Sequence, residues 1–336
     1  MMVKKIVSHL APRHIDDFLA VALLKTKYPQ AEIEYVHPQN VPSSYLKTSE
    51  VCLVDVGENF HPKLKNYDHH QDIKLPSSFI LVLMSEFVKE LLTDRTLVNS
   101  LMTEFFRDIV INEIMKGIVV SKFLKELSIS SLFKSQVVRF IDLTDRYGFK
   151  KAAEIEKVSL NPEEDRMRKE ILLVDLTKHG KEVGELVWET LVVNTYSEWI
   201  RTLYQKLDKK GLLDEPRKVL EKENTLFKEK LAKAKILQKD GLKVLVSNET
   251  LAPNHFKVFS ESGIDLIIER NSMNPKHTSI IKNTSSSKTK NIKLAKVFAL
   301  YPKVFLHQGE FIAVIDVPIE EVSVGKLLEV IFSLNL

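Results

Sequence analysis

Short apolar runs that stop abruptly at histidine or aspartate constrain this chain more than any other feature. Val3 to Val7 (VKKIV) runs into Ser8-His9, Val51 to Val54 (VCLV) runs into Asp55, and Leu64 to Tyr67 leads into Asp68-His69-His70. Runs of this kind read as buried strands, and strands alternating with helical patterns imply a largely parallel sheet. Open α/β sheets bind ligands just beyond the carboxyl ends of their strands. The imidazoles and carboxylates of His9, His14, Asp16, Asp55, Asp68, His69 and His70 would therefore gather in one crevice, a pattern suited to metal binding.

The remaining pattern falls into zones. After Asp16, a helix is expected over Asp17 to Lys27, with Leu19, Leu23 and Leu24 on one face and carboxylates in its first turn. Ile33 to Val36 adds a strand, and Phe79 to Leu92, Leu97 to Ile118 and Ser135 to Leu143 carry helical spacing. Residues 148–240 read as charged amphipathic helices, a connector or insertion whose last helix carries Leu220, Phe227, Leu231 and Ala234 as a stripe. The breaker pair Asp240-Gly241 then opens a second α/β pattern. Its strands are expected at Leu242 to Val246, Asp265 to Glu269, Thr278 to Ile281, Val304 to Leu306 and Phe311 to Ile315, with helices near Phe256 and over Ile292 to Leu300 and Glu320 to Leu334.

Composition removes several classes. A chain of 336 residues, 44% hydrophobic, has material for two cores, and no apolar run approaches the roughly 20 residues that span a bilayer. With no apolar leader in MMVKKIVSHLAPRH, a cytoplasmic protein with no membrane association is expected. Cys52 is the only cysteine, which excludes an internal disulfide and a cysteine-based zinc site, and its Val-Cys-Leu-Val setting suits a core residue. Only 10 glycines are present, with no GxGxxG or Walker-type loop. A net charge of +4 permits an anionic substrate without demanding nucleic acid.

Imidazole nitrogen mixed with carboxylate oxygen, without thiolate, favours Mn²⁺, with Mg²⁺, Co²⁺ or Zn²⁺ as alternatives. The candidates exceed what one tetrahedral ion needs, so two ions bridged by a carboxylate, roughly 4 Å apart, are the economical reading. Such pairs activate water and stabilise charge on a phosphoryl group, which makes phosphate-ester hydrolysis the default chemistry. Asp16 and Asp17 also suit simple helix capping. His37, His61, His179 and His255 are expected to be structural or surface residues.

The ordered segments His9-Leu-Ala-Pro-Arg-His14-Ile-Asp16-Asp17, Val54-Asp55-Val56-Gly57, Tyr67-Asp68-His69-His70-Gln71 and Ile141-Asp142-Leu-Thr-Asp145 resemble the motifs of the DHH-type phosphoesterases. Within that superfamily the match is closest to the melanocyte-proliferating-gene-one family of metal-dependent exonucleases, whose first motif has the same His-x4-His-x-Asp spacing. The segment Val304 to Phe311 looks like that family's Phe-x-His-x-x-x-Phe stretch. The resemblance implies that His9 and His14 hold one metal, Asp16 and His69 the other, that Asp55 bridges them, and that Asp145 completes the second site, with Asp142 as its rival. His70 would face the substrate as a catalytic group, and Asp68 would fix a histidine tautomer.

This resemblance implies an α/β fold with a parallel-sheet DHH-like catalytic domain at 1–147, a helical connector at 148–240, and a smaller α/β substrate-binding domain at 241–336 across a cleft. In the last, Arg270, His277, Lys288 and His307 are expected to meet phosphate. The tract Ser285 to Lys290 reads as a mobile loop or a hairpin tip, and Lys290, Lys293 and Lys296 as a solvated face. The chain departs from the family at Asp17, where glutamate is usual, and lacks the Gly-Gly-His loop of RecJ-like members. Pyrophosphatases of the superfamily carry aspartate where this chain has His14. The expected activity is exonucleolytic cleavage of RNA, single-stranded DNA or short oligonucleotides, and a homodimer is compatible with it. Rival readings are a small-molecule phosphatase or pyrophosphatase, and a non-catalytic nucleic-acid- or protein-binding module on the same fold.

Overall fold

The computed structural model describes residues 2–10, 13–72, 74–87, 133–159, 161–239, 241–252, 254–307 and 309–332. The chain divides into two compact units, Met1–Lys218 and Val219–Leu336, each α/β.

In the first unit, strand β1 (Lys5–His9) lies between β2 (Glu32–Val36) and β3 (Val51–Val54), all parallel. Strand β5 (Asn66–Tyr67) extends the sheet in parallel beside β3, and the short β4 (Phe60–His61) closes that edge in antiparallel. Alternation along the strands serves two faces. Ile6, Cys52 and Val54 join the main core, whereas Val7, Val51 and Leu53 pack with Val56 against Val41, Tyr45 and Leu46. Cys52 is fully buried, and burial pushes its thiol well above the usual range. It is a core residue, as its setting implied.

Helix α1 (Ile15–Lys27) crosses the main face, joined by α2 (Ser78–Glu86) and α3 (Gln136–Tyr147). The helix expected over Leu97 to Ile118 lies outside the described residues, as does the end of the one expected over Phe79 to Leu92. Next come α4 (Phe149–Glu156), α5 (Pro162–Leu172), α6 (Leu176–Thr190) and α7 (Tyr196–Lys209).

Of the segment expected as a connector or insertion, the helices up to Lys218 belong to the first unit. Ile171, Val183, Val187, Trp199 and Leu203 share one core with Leu19 and Leu23. Glycine makes the closest of these contacts. A Cβ at Gly184 would stand 2.1 Å from the Ala22 carbonyl oxygen, and one at Gly180 2.8 Å from Lys25 Cγ, so only glycines one helical turn apart let α6 press onto α1.

The unit boundary falls inside helix α8 (Asp214–Lys233). The helical reading of the segment up to 239 needs correction, because Lys235–Lys239 is strand β6, paired antiparallel with β7 (Leu242–Ser247). Lys239 pairs with Leu242, so the chain reverses between them, with Gly241 at φ 76°.

Strands β8 (Leu266–Arg270), β9 (Thr278–Lys282), β10 (Lys303–Leu306) and β11 (Ile312–Ile315) complete a six-stranded sheet of order β10-β11-β9-β8-β7-β6. Only the β7–β8 pair is parallel. Val244, Leu266, Ile268 and Ile280 face one core, while Leu245, Ile267 and Ile281 face another with Phe227. Helix α9 (His255–Ser262) follows β7, and α10 (Val324–Phe332) packs on the first of these cores. The helix expected over Ile292 to Leu300 is a 3₁₀ segment, Leu294–Ala299. Among the described residues, no helix is long and apolar enough to cross a membrane.

Candidate metal centre

The site forms where the parallel strands of the first unit end. His9 is the last residue of β1, Asp55 follows β3 directly, and Asp68-His69-His70 follows β5. Asp55 adopts φ 58°, a left-handed conformation that aspartate tolerates better than most residues, and it turns the chain at the end of the strand. Helix α1 brings Asp16 and Asp17 in its first turn, with His14 just before it, and α3 brings Asp145.

The ligand-type atoms fall into three overlapping groups: His9 with His14 and Asp55; Asp16 with Asp55, His69 and Asp145; and Asp55 with His69 and His70. Within each group these atoms lie within 4.8 Å of one another. Asp55 is common to all three. Its Oδ2 lies 3.4 Å from His9 Nε2 and its Oδ1 lies 3.2 Å from His69 Nε2. Asp145 Oδ2 lies 2.9 Å from His69 Nε2, and its Oδ1 lies 3.8 Å from His14 Nδ1.

Asp142, one turn back on α3, points elsewhere. It accepts from the Ser77 amide at 2.8 Å and from Arg146 Nη2 at 2.5 Å. Of the two aspartates weighed for the last position, Asp145 is the one the fold brings to the cluster.

Asp68 also stands behind the cluster. It accepts from His70 Nδ1 at 2.7 Å, from the His70 amide at 3.0 Å, and from the Glu58 amide at 2.7 Å. His9 Nδ1 donates to the Leu10 carbonyl at 2.7 Å, and because a carbonyl only accepts, the lone pair of the neutral ring lies on Nε2. The His14 and His70 side chains are 56% and 52% exposed, whereas those of His9, His69, Asp55 and Asp145 are largely buried. One side of the cluster is therefore open to solvent.

The residues present fit divalent cations. Both carboxylate oxygens of the fully buried Asp16 lack a hydrogen-bond partner, as do Asp17 Oδ1, Asp145 Oδ2, His9 Nε2 and His69 Nε2; the short His69–Asp145 approach has the distance of a hydrogen bond without its geometry. Each such buried atom costs about 1–3 kcal/mol if nothing meets it. Two divalent cations would balance Asp16, Asp17, Asp55 and Asp145 charge for charge.

The acid–base shifts report the same imbalance. Burial alone would lower His9, yet Asp55 and Asp17 outweigh it and raise His9 to about 9. Burial likewise opposes the protonation of His69, and Asp145 and Asp55 override it, raising the group to about 10. Burial raises Asp17 to about 6 against the pull of His9. Burial, reinforced by Asp55 and Asp145, holds Asp16 well above the carboxylate range. For Asp55 burial loses, because His69 and His9 hold it well below that range. Buried carboxylates thus draw positive charge to the cluster, which protons on the imidazoles or metal ions supply.

Two contributors escaped the sequence reading. Ser78, the first residue of α2, donates to Asp55 Oδ1 at 3.0 Å, and nothing in its local pattern announces this. Asp17, which also suits a helix cap, has its Oδ2 accepting from Ser8 Oγ at 3.3 Å and lying 3.3 Å from His9 Nε2, so it faces the cluster.

The basic residues of the second unit do not share a site. Arg270 ends β8 and pairs with Glu320, and His277 precedes β9 with Nε2 3.1 Å from Asp316. Both lie at the end of the sheet where Arg270 opposes Thr278. His307 follows β10, its Nδ1 accepting from the Gly309 amide at 3.0 Å and its ring 3.8 Å from that of Phe311. Lys288 donates to the Gly241 carbonyl at 3.0 Å. These two belong to the opposite end, where Leu266 opposes Lys282 and Leu306 opposes Ala313. The tract Ser285 to Lys290 is ordered by turns, with Asn283 Oδ1 accepting from the Ser285 amide and Ser286 Oγ donating to Asp265 at 2.6 Å.

Residues 5–79 match the MYG1_exonuc family model, described as an uncharacterised protein family (UPF0160). That stretch carries every member of the cluster except Asp145 and includes Ser78. No curated protein matches the chain. The family's label points to an exonuclease-like hydrolase, and the His and Asp groups can hold metal ions.

Proposed function

We propose that this chain is a metal-dependent phosphodiester hydrolase of the DHH type, an exonuclease acting on RNA, single-stranded DNA or short oligonucleotides. One observation carries the reading: a single carboxylate, Asp55, is shared by separate groups of His and Asp ligands, beside a buried and unpartnered Asp16. His9, His14 and Asp55 would hold one cation, and Asp16, Asp55, His69 and Asp145 the other. The mixed nitrogen and oxygen donors favour Mn²⁺. Bound there, the two ions supply Lewis acidity and an activated water to in-line attack at phosphorus.

The protein's own groups do the rest. Asp68 holds His70 through Nδ1 at 2.7 Å, which fixes the ring and leaves Nε2 to carry a proton to the departing oxygen. His14 and His70 line the exposed side, where a phosphodiester can reach them. Choosing nucleic acid over pyrophosphate rests on the family label and on the His9-to-Asp16 spacing described above.

The test is incubation with Mn²⁺ and labelled RNA, single-stranded DNA, a dinucleotide and pyrophosphate. Nucleoside monophosphates should appear from the nucleic acids faster than phosphate appears from pyrophosphate, and EDTA should stop the release. A protein that binds Mn²⁺ yet hydrolyses none of these would sink the proposal.

A further inference from the structure

A carboxylate that bridges two cations through both of its oxygens must keep each oxygen turned to a different cation. Aspartate does not enforce this alone, because rotation about its terminal torsion is soft. Asp55 has left the strand at φ 58°, so the pleat of the sheet no longer directs its side chain either. Something else must hold the carboxylate with Oδ2 toward His9 and Oδ1 toward His69.

Ser78 occupies that position. Its hydroxyl, on a fully buried residue, donates to Asp55 Oδ1 at 3.0 Å, using one lone pair of that oxygen and leaving the rest of the carboxylate for metal. Serines at helix starts ordinarily cap free amides. Here neither does: the N-cap Ser77 makes no side-chain cap bond, and the Ser78 hydroxyl is turned to Asp55 instead. The Ser77 amide is in turn held by the buried Asp142 at 2.8 Å, and Asp142 is held by Arg146. A chain of contacts thus runs from α3 through the first turn of α2 to the carboxylate common to all three ligand groups.

We infer that Ser78 is a positioning residue for the metal pair, orienting Asp55 so that one oxygen serves each ion, with Asp142 holding Ser78 in place through the Ser77 amide. The inference rests on the dinuclear reading above. It makes Asp142 a support and not a ligand, and it gives the Ser78 hydroxyl a role that helix capping does not account for.

The test uses the full chain loaded with Mn²⁺ and read by electron paramagnetic resonance and calorimetry, with thermal melts in EDTA to show that each variant folds. Wild type should show two ions with exchange-coupled spins. Ser78→Ala should weaken one ion by about 10- to 100-fold, the usual effect of losing a group that orients a ligand, and abolish the coupling. Ser78→Thr, which keeps the hydroxyl, should restore both. Asp142→Ala, which removes the acceptor of the Ser77 amide, should weaken the same ion by a smaller factor than Ser78→Ala does. Wild-type affinity and coupling in Ser78→Ala would overturn the inference and leave the dinuclear site standing. Wild-type affinity and coupling in Asp142→Ala would overturn the supporting role of Asp142. Wild type that takes up no manganese would overturn both readings.

Discussion

The two sheets of this protein treat the same kind of sequence signal in opposite ways. In the first, β1, β3 and β5 are parallel, so every residue that follows a strand emerges at the same end. His9, Asp55 and Asp68 through His70 therefore meet. In the second, β8, β9, β11 and β10 alternate in direction, so consecutive strand ends point opposite ways. Arg270 and His277 emerge at one end, His307 and Lys288 at the other. Position after a strand predicts convergence only where the sheet is parallel.

The most severe test of that contrast is to remove the residue on which the parallel strand ends converge. Asp55→Ala should reduce Mn²⁺-dependent hydrolysis by about 1000-fold or more, in line with the large losses that follow removal of a central catalytic group. The metal-free fold should survive, as judged by circular dichroism. Substantial activity in that variant would contradict the shared-carboxylate assignment.

Next in size is the packing beneath the site. Gly184→Ala would gain about 1 kcal/mol in helix propensity. It would also drive a Cβ to 2.1 Å from the Ala22 carbonyl oxygen, a clash that must separate α6 from α1. The clash should win, lowering the stability of the first unit by about 1–3 kcal/mol without shifting the melting of the second unit.

A third test uses pH. His9 and His69 are raised from 6.5 to about 9 and about 10, so their contribution to stability is complete below pH 6.5 and is lost as pH rises through those values. In EDTA, the melting temperature of the first unit should fall between about pH 7 and about pH 10. Mn²⁺ at the upper end should restore it. A flat profile would mean that the imidazoles do not carry the compensating charge.

The smallest effects belong to the second unit. Arg270 pairs with Glu320 at the surface, with 38% and 48% of the two side chains exposed; such pairs contribute at most about 1 kcal/mol. Arg270→Ala should barely move its melting. Because Arg270 and Lys288 lie at opposite ends of the sheet, at most one of Arg270→Ala and Lys288→Ala should raise the apparent KM for a dinucleotide. Equal increases in both would break the comparison.

What the chain disclosed from its residues followed from the same geometry. VKKIV and VCLV announced parallel strands, and the polar residues at their ends announced the cluster, because a buried parallel strand leaves little choice about where its end points. The Lys235–Lys239 strand was misread because its side chains are mostly exposed and it continues a charged helix without a polarity break. Its only signal was the Asp240-Gly241 hairpin pair, which serves equally as a breaker. Ser78 was hidden for another reason. Its partner lies 23 residues away, and the contact exists only after α2 has packed onto the sheet. The allegiance of 148–218 turned on Gly180 and Gly184, whose meaning depends on which helix they touch.

That glycine contact limits how the protein can be dissected. The family match ends at residue 79 and Asp145 supplies the last cluster carboxylate, so a fragment cut near residue 147 would look like a minimal enzyme. Such a fragment would strip α6 from the helix that carries Asp16 and Asp17, baring the flank of Ala22, Lys25 and Thr26 to water. Its failure in an assay would then report aggregation and not chemistry.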